Sequence, residues 1–425
     1  MHRLICFGVS HRNAETAVRE CLALGADALQ AALASASVPG AATSLQEMAI
    51  VATCNRMEWY AVEPADAPTD RERVAREVAA LHGMPAELLL EHGRMLRGID
   101  AARHLCRVSS GLESQLVGES EVLGQDAEAH ADGMRAGTIG ATLTAVFAAA
   151  LRAGRRVRHE TALGRRDPSV ATEAVRVFGN TLGGLEGRTV TVIGTGVMGR
   201  LALQALSAAG VTTLRVMGRH VGHTSRLAKE FGAHPVTAGG FSAAVRDSHG
   251  LLCAASAPHP IVSREMVREA RTGTIAPLLV VDIGFPRNVA SDVHNEPGVT
   301  VLHLDDLAAQ SHVPDASTTA DAERIVEEEL ARWEQGLQQS RAIPLVKRMH
   351  QQAEVIRRRQ LERLVRELGD LPAGAVEPLE RFSRALVRQL LHEPTQRLRR
   401  AGAQPREDRL LAAAHELFGL ADDAT

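Results

Sequence analysis

Aromatic side chains are scarce: eight Phe, two Trp and one Tyr make up 3% of 425 residues. So few ring faces exclude a protein that binds single-stranded nucleic acid by stacking bases. Lysine is rarer still, confined to Lys229 and Lys347, so arginine carries the basic charge. The net charge is -3, which leaves no overall field for nucleic acid. The five cysteines, Cys6, Cys21, Cys54, Cys106 and Cys253, form no CxxC pair and no Cys/His metal spacing, so no metal is expected. An odd number in so long a chain argues against a disulfide framework and for a reducing compartment. No N-terminal apolar stretch has the length of a signal peptide. The most apolar segment, 141–151, is too short to cross a bilayer. A soluble cytoplasmic protein with no membrane partner is the expectation.

What remains is ordinary globular composition, 45% hydrophobic and 23% charged, over a length that exceeds one core. Residues 3–9 and 48–53 read as buried strands and 58–62 as a third, with helical patterns between them, so the chain to about 160 is expected to be an α+β domain. The Ala-rich stretch 135–160 fits one long helix, and the glycines and charges of 183–188 mark a boundary. From Thr189 strands and helices alternate at the spacing of a doubly wound parallel sheet. From Ala316 the pattern is helical and highly charged, over 318–341 and 345–368. Pro344 interrupts it, 369–372 end it, and two or three more helices are expected in 376–418. No separate core is evident there, which suggests helices that pack on a second copy of the chain. The domains are thus expected at 1–160, 161–315 and 316–425.

Two segments carry chemistry. Gly194-Thr195-Gly196-Val197-Met198-Gly199 follows a strand and opens a helix. Its glycines suit a tight turn, a close approach of backbone to a pyrophosphate, and close helix–strand packing. The next strand ends in Met217-Gly218-Arg219-His220, with no carboxylate for a ribose hydroxyl. Arg219 instead suits a 2'-phosphate, so NADPH is the expected cofactor, with Arg215 and Arg226 as possible assistants. In the N-terminal domain, Thr53-Cys54-Asn55-Arg56 follows an apolar strand. A guanidinium there can turn the thiol into a thiolate nucleophile, or clamp a substrate carboxylate. The other four cysteines lie in apolar surroundings and read as buried. Downstream, 104–125 mixes apolar helical positions with His104, Ser110, Ser114, Glu119 and Gln125, as a pocket lining would.

These residues resemble the glutamyl-tRNA reductases. The resemblance runs through Gly8-Val9-Ser10-His11, the Arg19-Glu20 pair, TCNRMEWY, HLCRVSSGLES, VGESEVLGQ, RRVRHETALG and PSVATEAV. It continues in SAPHPIV, VVDIGFPRNV, LHLDDL, AERIVEEEL and LLHEPTQRL. It implies an α/β multidomain protein: an α+β catalytic domain, a Rossmann-like NADP domain, and a C-terminal helical dimerisation domain with a long spinal helix. The implied reaction makes glutamate-1-semialdehyde for tetrapyrrole synthesis. Cys54 would attack the glutamyl-tRNA ester, and NADPH would reduce the resulting thioester. His104 would position or polarise the carbonyl. Thr53, Asn55, Arg56, Ser114, Glu119, Ser120, Glu121 and Gln125 would contact the substrate. A homodimer and a receiving aminomutase are implied partners.

The chain departs from the family pattern at Glu121, where an amide is usual, and at Asp126-Ala127, Gly218 and Phe285. Those departures keep open a specialised paralogue or a non-catalytic protein that binds charged tRNA. The nucleotide motif alone would also admit a shikimate-dehydrogenase-like enzyme. For tRNA phosphates the candidate surfaces are the arginines of 152–166 and 381–409.

Overall fold

The computed structural model describes residues 3–37, 43–64, 69–166, 169–274, 276–311, 314–369, 372, 374–401, 413–414 and 416–419. Residues Met1–Glu329 form one compact unit and Leu330–Thr425 another. The first unit holds two sheets. Strands β1 (Leu4–Ser10), β2 (Glu47–Ala52), β3 (Arg56–Val62) and β4 (Arg94–Arg97) form an antiparallel sheet in the order β2-β3-β1-β4. One more strand is present than the three expected.

Strand β3 is buried along its whole length, so both faces of this sheet are covered. Side chains alternate along a strand, and here the two sets differ in chemistry. Met57, Trp59 and Ala61 join Ile5, Phe7 and Val9 in an apolar core with Leu22, Leu33, Val78 and Leu89 of the helices outside. Arg56, Glu58 and Tyr60 project to the opposite face. There they meet helices Gly98–Ser109, Glu121–Ala136 and Ala141–Glu160. The single long helix expected over 135–160 is in fact two. Gly137 adopts a left-handed conformation (φ 72°) that ends the first. The Glu47 carboxylate then accepts the N–H groups of Gly140 (3.0 Å), Thr142 (3.2 Å) and Leu143 (2.8 Å), capping the second helix from the neighbouring sheet.

The second sheet contains β5 (Thr189–Ile193), β6 (Thr213–Met217), β7 (His234–Val236), β8 (Gly250–Cys253), β9 (Leu278–Asp282) and β10 (Val299–His303). All pairs are parallel, in the order β10-β9-β8-β5-β6-β7. The order reverses at β5, so a crevice opens at its carboxyl end, where doubly wound sheets bind ligands. Helix Val170–Leu182 packs Val170, Ala174 and Phe178 into the same core as Val190, Val192 and Leu203. The glycines of 183–188 therefore form an exposed turn between two elements of one core, into which Leu185 alone of the turn is buried, rather than a boundary.

A helix spans Ala316–Leu368 without a break at position 344. In the second unit, Leu345, Val346 and Met349 pack with Leu391, Leu398 and Ala414, so a small core exists where none was expected. Residues 402–412, where a further helix was expected, lie outside the described residues. Phe382, Leu386 and Leu390, four apart on helix Val376–Ala401, are exposed. No helix among the described residues is long and apolar enough to cross a membrane.

Candidate active site

Cys54 and Asn55 occupy the tip of the β2–β3 hairpin. The Thr53 N–H donates to the Arg56 carbonyl at 2.9 Å, closing the turn. The Thr53 hydroxyl accepts the Asn55 N–H at 3.1 Å, and Asn55 Oδ1 is buried with no partner. Cys54 is half-buried, against the apolar core of the second sheet. Burial pushes its thiol up to about 12, aided by the negative charges of Glu119 and Glu121. Of the two roles open to Arg56, making a resting thiolate is therefore disfavoured, and the carboxylate clamp remains. The guanidinium that favours the anion belongs to Arg19, which donates to the Cys54 carbonyl at 2.5 Å, and burial outweighs it. Arg56 projects from a strand face, two positions on from the turn tip.

On that face Arg56 Nη1 donates to Glu58 Oε1 at 3.1 Å, and Nη2 donates to the Glu113 carbonyl. Its Nε is buried with no partner. Glu58 also accepts the Tyr60 hydroxyl at 2.8 Å and meets His104 Nε2 at 2.8 Å. Burial alone would raise the Glu58 carboxyl, but His104 and Arg56 outweigh it and hold it near 2. His104 is thus oriented by Glu58. Cys6, Glu58 and His104 place possible ligand atoms within 4.8 Å of one another. Three donors already occupy the Glu58 carboxylate, so the cluster is a hydrogen-bonded network as it stands. Behind it lies Asp126, wholly buried, accepting the Ser109 hydroxyl at 2.5 Å, with its other oxygen unpartnered.

The turn from Ser110 to Ser120 joins helices Gly98–Ser109 and Glu121–Ala136 and is pinned from several sides. Arg107 and Arg12 reach the Glu113 carboxylate at 2.7 and 3.0 Å. Arg158 donates to the carbonyls of Glu119 and Ser120. Ser114 and Glu119 are buried in this turn. Glu119 and Glu121 hydrogen bond to each other through their carboxyl groups. Burial, then the Glu121 charge, pushes Glu119 up to about 7.

The nucleotide turn faces the hairpin across a cavity of about 710 Å³, whose lining includes Thr53, Cys54, Glu121, Gln125 and Gly196–Met198. Gly194 has φ 122°, which favours glycine, and a Cβ there would lie 2.4 Å from the Ala254 carbonyl. A Cβ on Gly199 would lie 2.1 Å from the Gly194 oxygen, whereas Gly196 faces open space. That is the cradle a dinucleotide needs. Alanine at Gly199 is expected to lower nicotinamide dinucleotide affinity by at least about tenfold, as titrated by fluorescence; unchanged affinity would refute the cradle. Gly218 has a steric reason too: a Cβ would come within 2.5 Å of the Thr195 methyl. Arg219 is exposed, with one 3.4 Å hydrogen bond to the Ser256 carbonyl. Arg215 is turned to Asp247 at 3.4 Å, and Arg226 is exposed. Phe285 lies on the cavity wall.

Two ionic ties hold the sheets in this arrangement. Arg287 donates to the Glu20 carboxylate from Nε at 2.9 Å and from Nη2 at 2.6 Å. Asp305 accepts from Arg19 at 3.0 Å, from Gln115 at 2.6 Å and from Thr16. Sequence reasoning missed the site roles of Arg19, Glu20, Glu58, Asp126, Arg287 and Asp305. Period-two spacing from Arg56 could have found Glu58; the other partners are distant in sequence. Of the arginines considered for phosphates, Arg152 and Arg156 pair with Glu329, at 3.1 and 3.0 Å, and Arg155 is exposed. The side chains of Arg165 and Arg166, and those of residues 399–409, lie outside the described ones. Cys6, Cys106 and Cys253 are buried as expected, but Cys21 is exposed.

The chain resembles known proteins along its whole length. The family model for the glutamyl-tRNA(Glu) reductase N-terminal domain matches residues 7–161. The shikimate/quinate 5-dehydrogenase model matches 176–310, and the glutamyl-tRNA(Glu) reductase dimerisation model matches 321–420. A glutamyl-tRNA reductase of Myxococcus xanthus is 37% identical, covering 99% of this chain and 94% of that protein. One from Chloroflexus aurantiacus is 34% identical, covering 98% and 99%. The solved glutamyl-tRNA reductase of Methanopyrus kandleri is 28% identical, covering 99% and 100%, with a TM-score of 0.50.

Proposed function

Because the chain belongs to the glutamyl-tRNA reductase family, whose reaction is the first step of tetrapyrrole synthesis, we propose that Cys54 carries the glutamyl group as a thioester during an NADPH-dependent reduction to glutamate-1-semialdehyde. The observation that carries this reading is the single cavity shared by Cys54 and the Gly196–Met198 turn. A thiol and a nucleotide cradle facing one water-accessible space allow acyl transfer and reduction at one carbon.

In this reading Cys54 attacks the ester carbonyl and the tRNA leaves with its 3'-terminal ribose oxygen. A reduced nicotinamide bound in the Gly194–Gly199 cradle would supply the hydride that converts the thioester to an aldehyde, the sulfur leaving as a thiolate that takes up a proton from solvent. His104, held by Glu58, orients the reacting carbonyl. Arg56, with its unpartnered Nε, receives the substrate side-chain carboxylate, and Thr53, Asn55, Ser114, Ser120 and Gln125 shape the remaining contacts. Gly194–Gly199 hold the diphosphate and Arg219 the 2'-phosphate. Residues 1–160, 161–315 and 316–425 serve as catalytic, nucleotide and dimerisation segments. The exposed stripe Phe382, Leu386, Leu390 suits a homodimer, and a cytoplasmic aminomutase is the fitting acceptor of the aldehyde.

The test follows nicotinamide absorbance with purified protein. Oxidation of NADPH is expected only when glutamyl-tRNA is present. Oxidation without tRNA, on a free metabolite such as shikimate, would overturn the reading. With Arg219→Ala, the KM for NADPH should rise about tenfold while that for NADH stays put. An equal change for both would remove Arg219 from cofactor choice.

A further inference from the structure

A thiol pushed up as Cys54 is needs a proton acceptor at the moment it attacks. Neighbouring charge does not supply a resting thiolate, since Glu119 and Glu121 both disfavour the anion. The carboxyl group that shares the cavity wall with Cys54 is that of Glu121, with buried Glu119 beside it. Glu121 opens helix Glu121–Ala136 and lines the cavity with Cys54, and its carboxyl hydrogen bonds to that of buried Glu119. The turn carrying both is fixed by Arg158 on its carbonyls.

Resting on the thioester reading above, we propose that the Glu119–Glu121 pair accepts the Cys54 proton as the sulfur attacks and returns it to the departing ribose oxygen. The S–C bond forms and the C–O ester bond breaks. The proton passes from sulfur to the carboxylate pair and then to the leaving hydroxyl, so no other reactant is required. Two carboxylates in contact hold a first proton tightly, which makes the fully ionised pair a better base than either alone. Glu119 at about 7 is well matched to proton transfer near neutral pH. Its surroundings are Glu121 on the following helix, Arg56 on β3, Arg158 on helix Ala141–Glu160, and Cys54 on the hairpin tip. Both arginines favour the ionised form, and burial and Glu121 oppose it more strongly.

The experiment measures single-turnover release of tRNA from glutamyl-tRNA against pH, with nicotinamide omitted and the Cys54 thioester followed by mass. The wild-type rate is expected to fall on the acid side with a midpoint near 7. Glu121→Gln keeps the shape but removes the like charge, so the midpoint should move down by about one unit or more and the plateau should fall several-fold. Glu119→Gln should slow acylation by about 10²-fold or more at pH 7 with KM within about twofold. An unmoved midpoint in Glu121→Gln, or a rise in KM alone, would overturn the proposal and make the pair a binder of the substrate ammonium. A wild-type midpoint below about pH 6 would overturn it without any variant. A wild-type protein that forms no thioester would instead refute the function proposed above.

Discussion

Alanine in place of Cys54 is expected to lower tRNA-dependent NADPH oxidation by about 10³-fold or more, while nicotinamide affinity stays within about twofold. The split follows from where the two groups sit. Cys54 is on a hairpin tip of the first sheet, and the cradle glycines belong to the second. Removing one sulfur leaves Gly194, Gly196 and Gly199 untouched. The loss is large because the thiol supplies the covalent intermediate, and no other cysteine is among the residues lining the cavity: Cys6, Cys106 and Cys253 are buried, and Cys21, though exposed, lies off its wall. Serine should fare little better, since an alkoxide is harder to form than a thiolate in a site that already disfavours anions. Rates come from nicotinamide absorbance and affinities from fluorescence titration of the same preparations. An alanine variant that kept a tenth of the activity would remove Cys54 from the mechanism, whatever the cavity looks like.

Much of this site was legible before the structure. The glycine turn could be read because each glycine serves a local geometric need that spacing alone encodes. Cys54 could be read because it ends an apolar strand amid polar residues. What escaped were partners joined over long stretches of chain. Arg19 reaches Asp305, and Glu20 reaches Arg287, across more than half the chain. No periodicity links them; the folding of one sheet against the other does. Arg56 shows how strand geometry chooses between two readings. Being near Cys54 in sequence, it suits either thiol activation or a clamp on a substrate carboxylate. Strand geometry turns it instead to the polar face with Glu58, and Arg19 takes the place beside Cys54. The helix break at Gly137 is legible from one glycine, but the alanine-rich, proline-free stretch around it favours a continuous helix. In the second unit the helix runs on through position 344 although an interior proline disfavours it, which the local sequence alone does not foretell.

Asp126 should make the protein less stable as pH rises, and Asp126→Asn should remove about 2–3 kcal/mol of that loss between pH 5 and 8. The carboxyl is wholly buried on helix Glu121–Ala136, with Ser109 as its one hydrogen-bond partner and Arg56, Glu58 and His104 nearby. Burial dominates and pushes it up to about 7, the Ser109 hydrogen bond and Arg56 opposing. In the unfolded chain the same group ionises near 3.9. The folded state therefore holds the proton more tightly. Stability is fully present below about pH 4 and is lost as pH rises towards 7, because the unfolded chain has released a proton that the fold retains. Glu58 runs the other way: held near 2, it stabilises the fold above about pH 4.5 and loses that only in strong acid, outside this window. Glu119, also near 7, adds to the alkaline loss, so the wild-type slope alone is not diagnostic. The difference between wild type and Asp126→Asn is, because the amide keeps the shape and the Ser109 contact but cannot ionise. Thermal melts at pH 5.5 and 8 should show the variant losing several degrees less than wild type over that interval. Equal losses in the two proteins would mean that Asp126 ionises freely and that its pocket is wet.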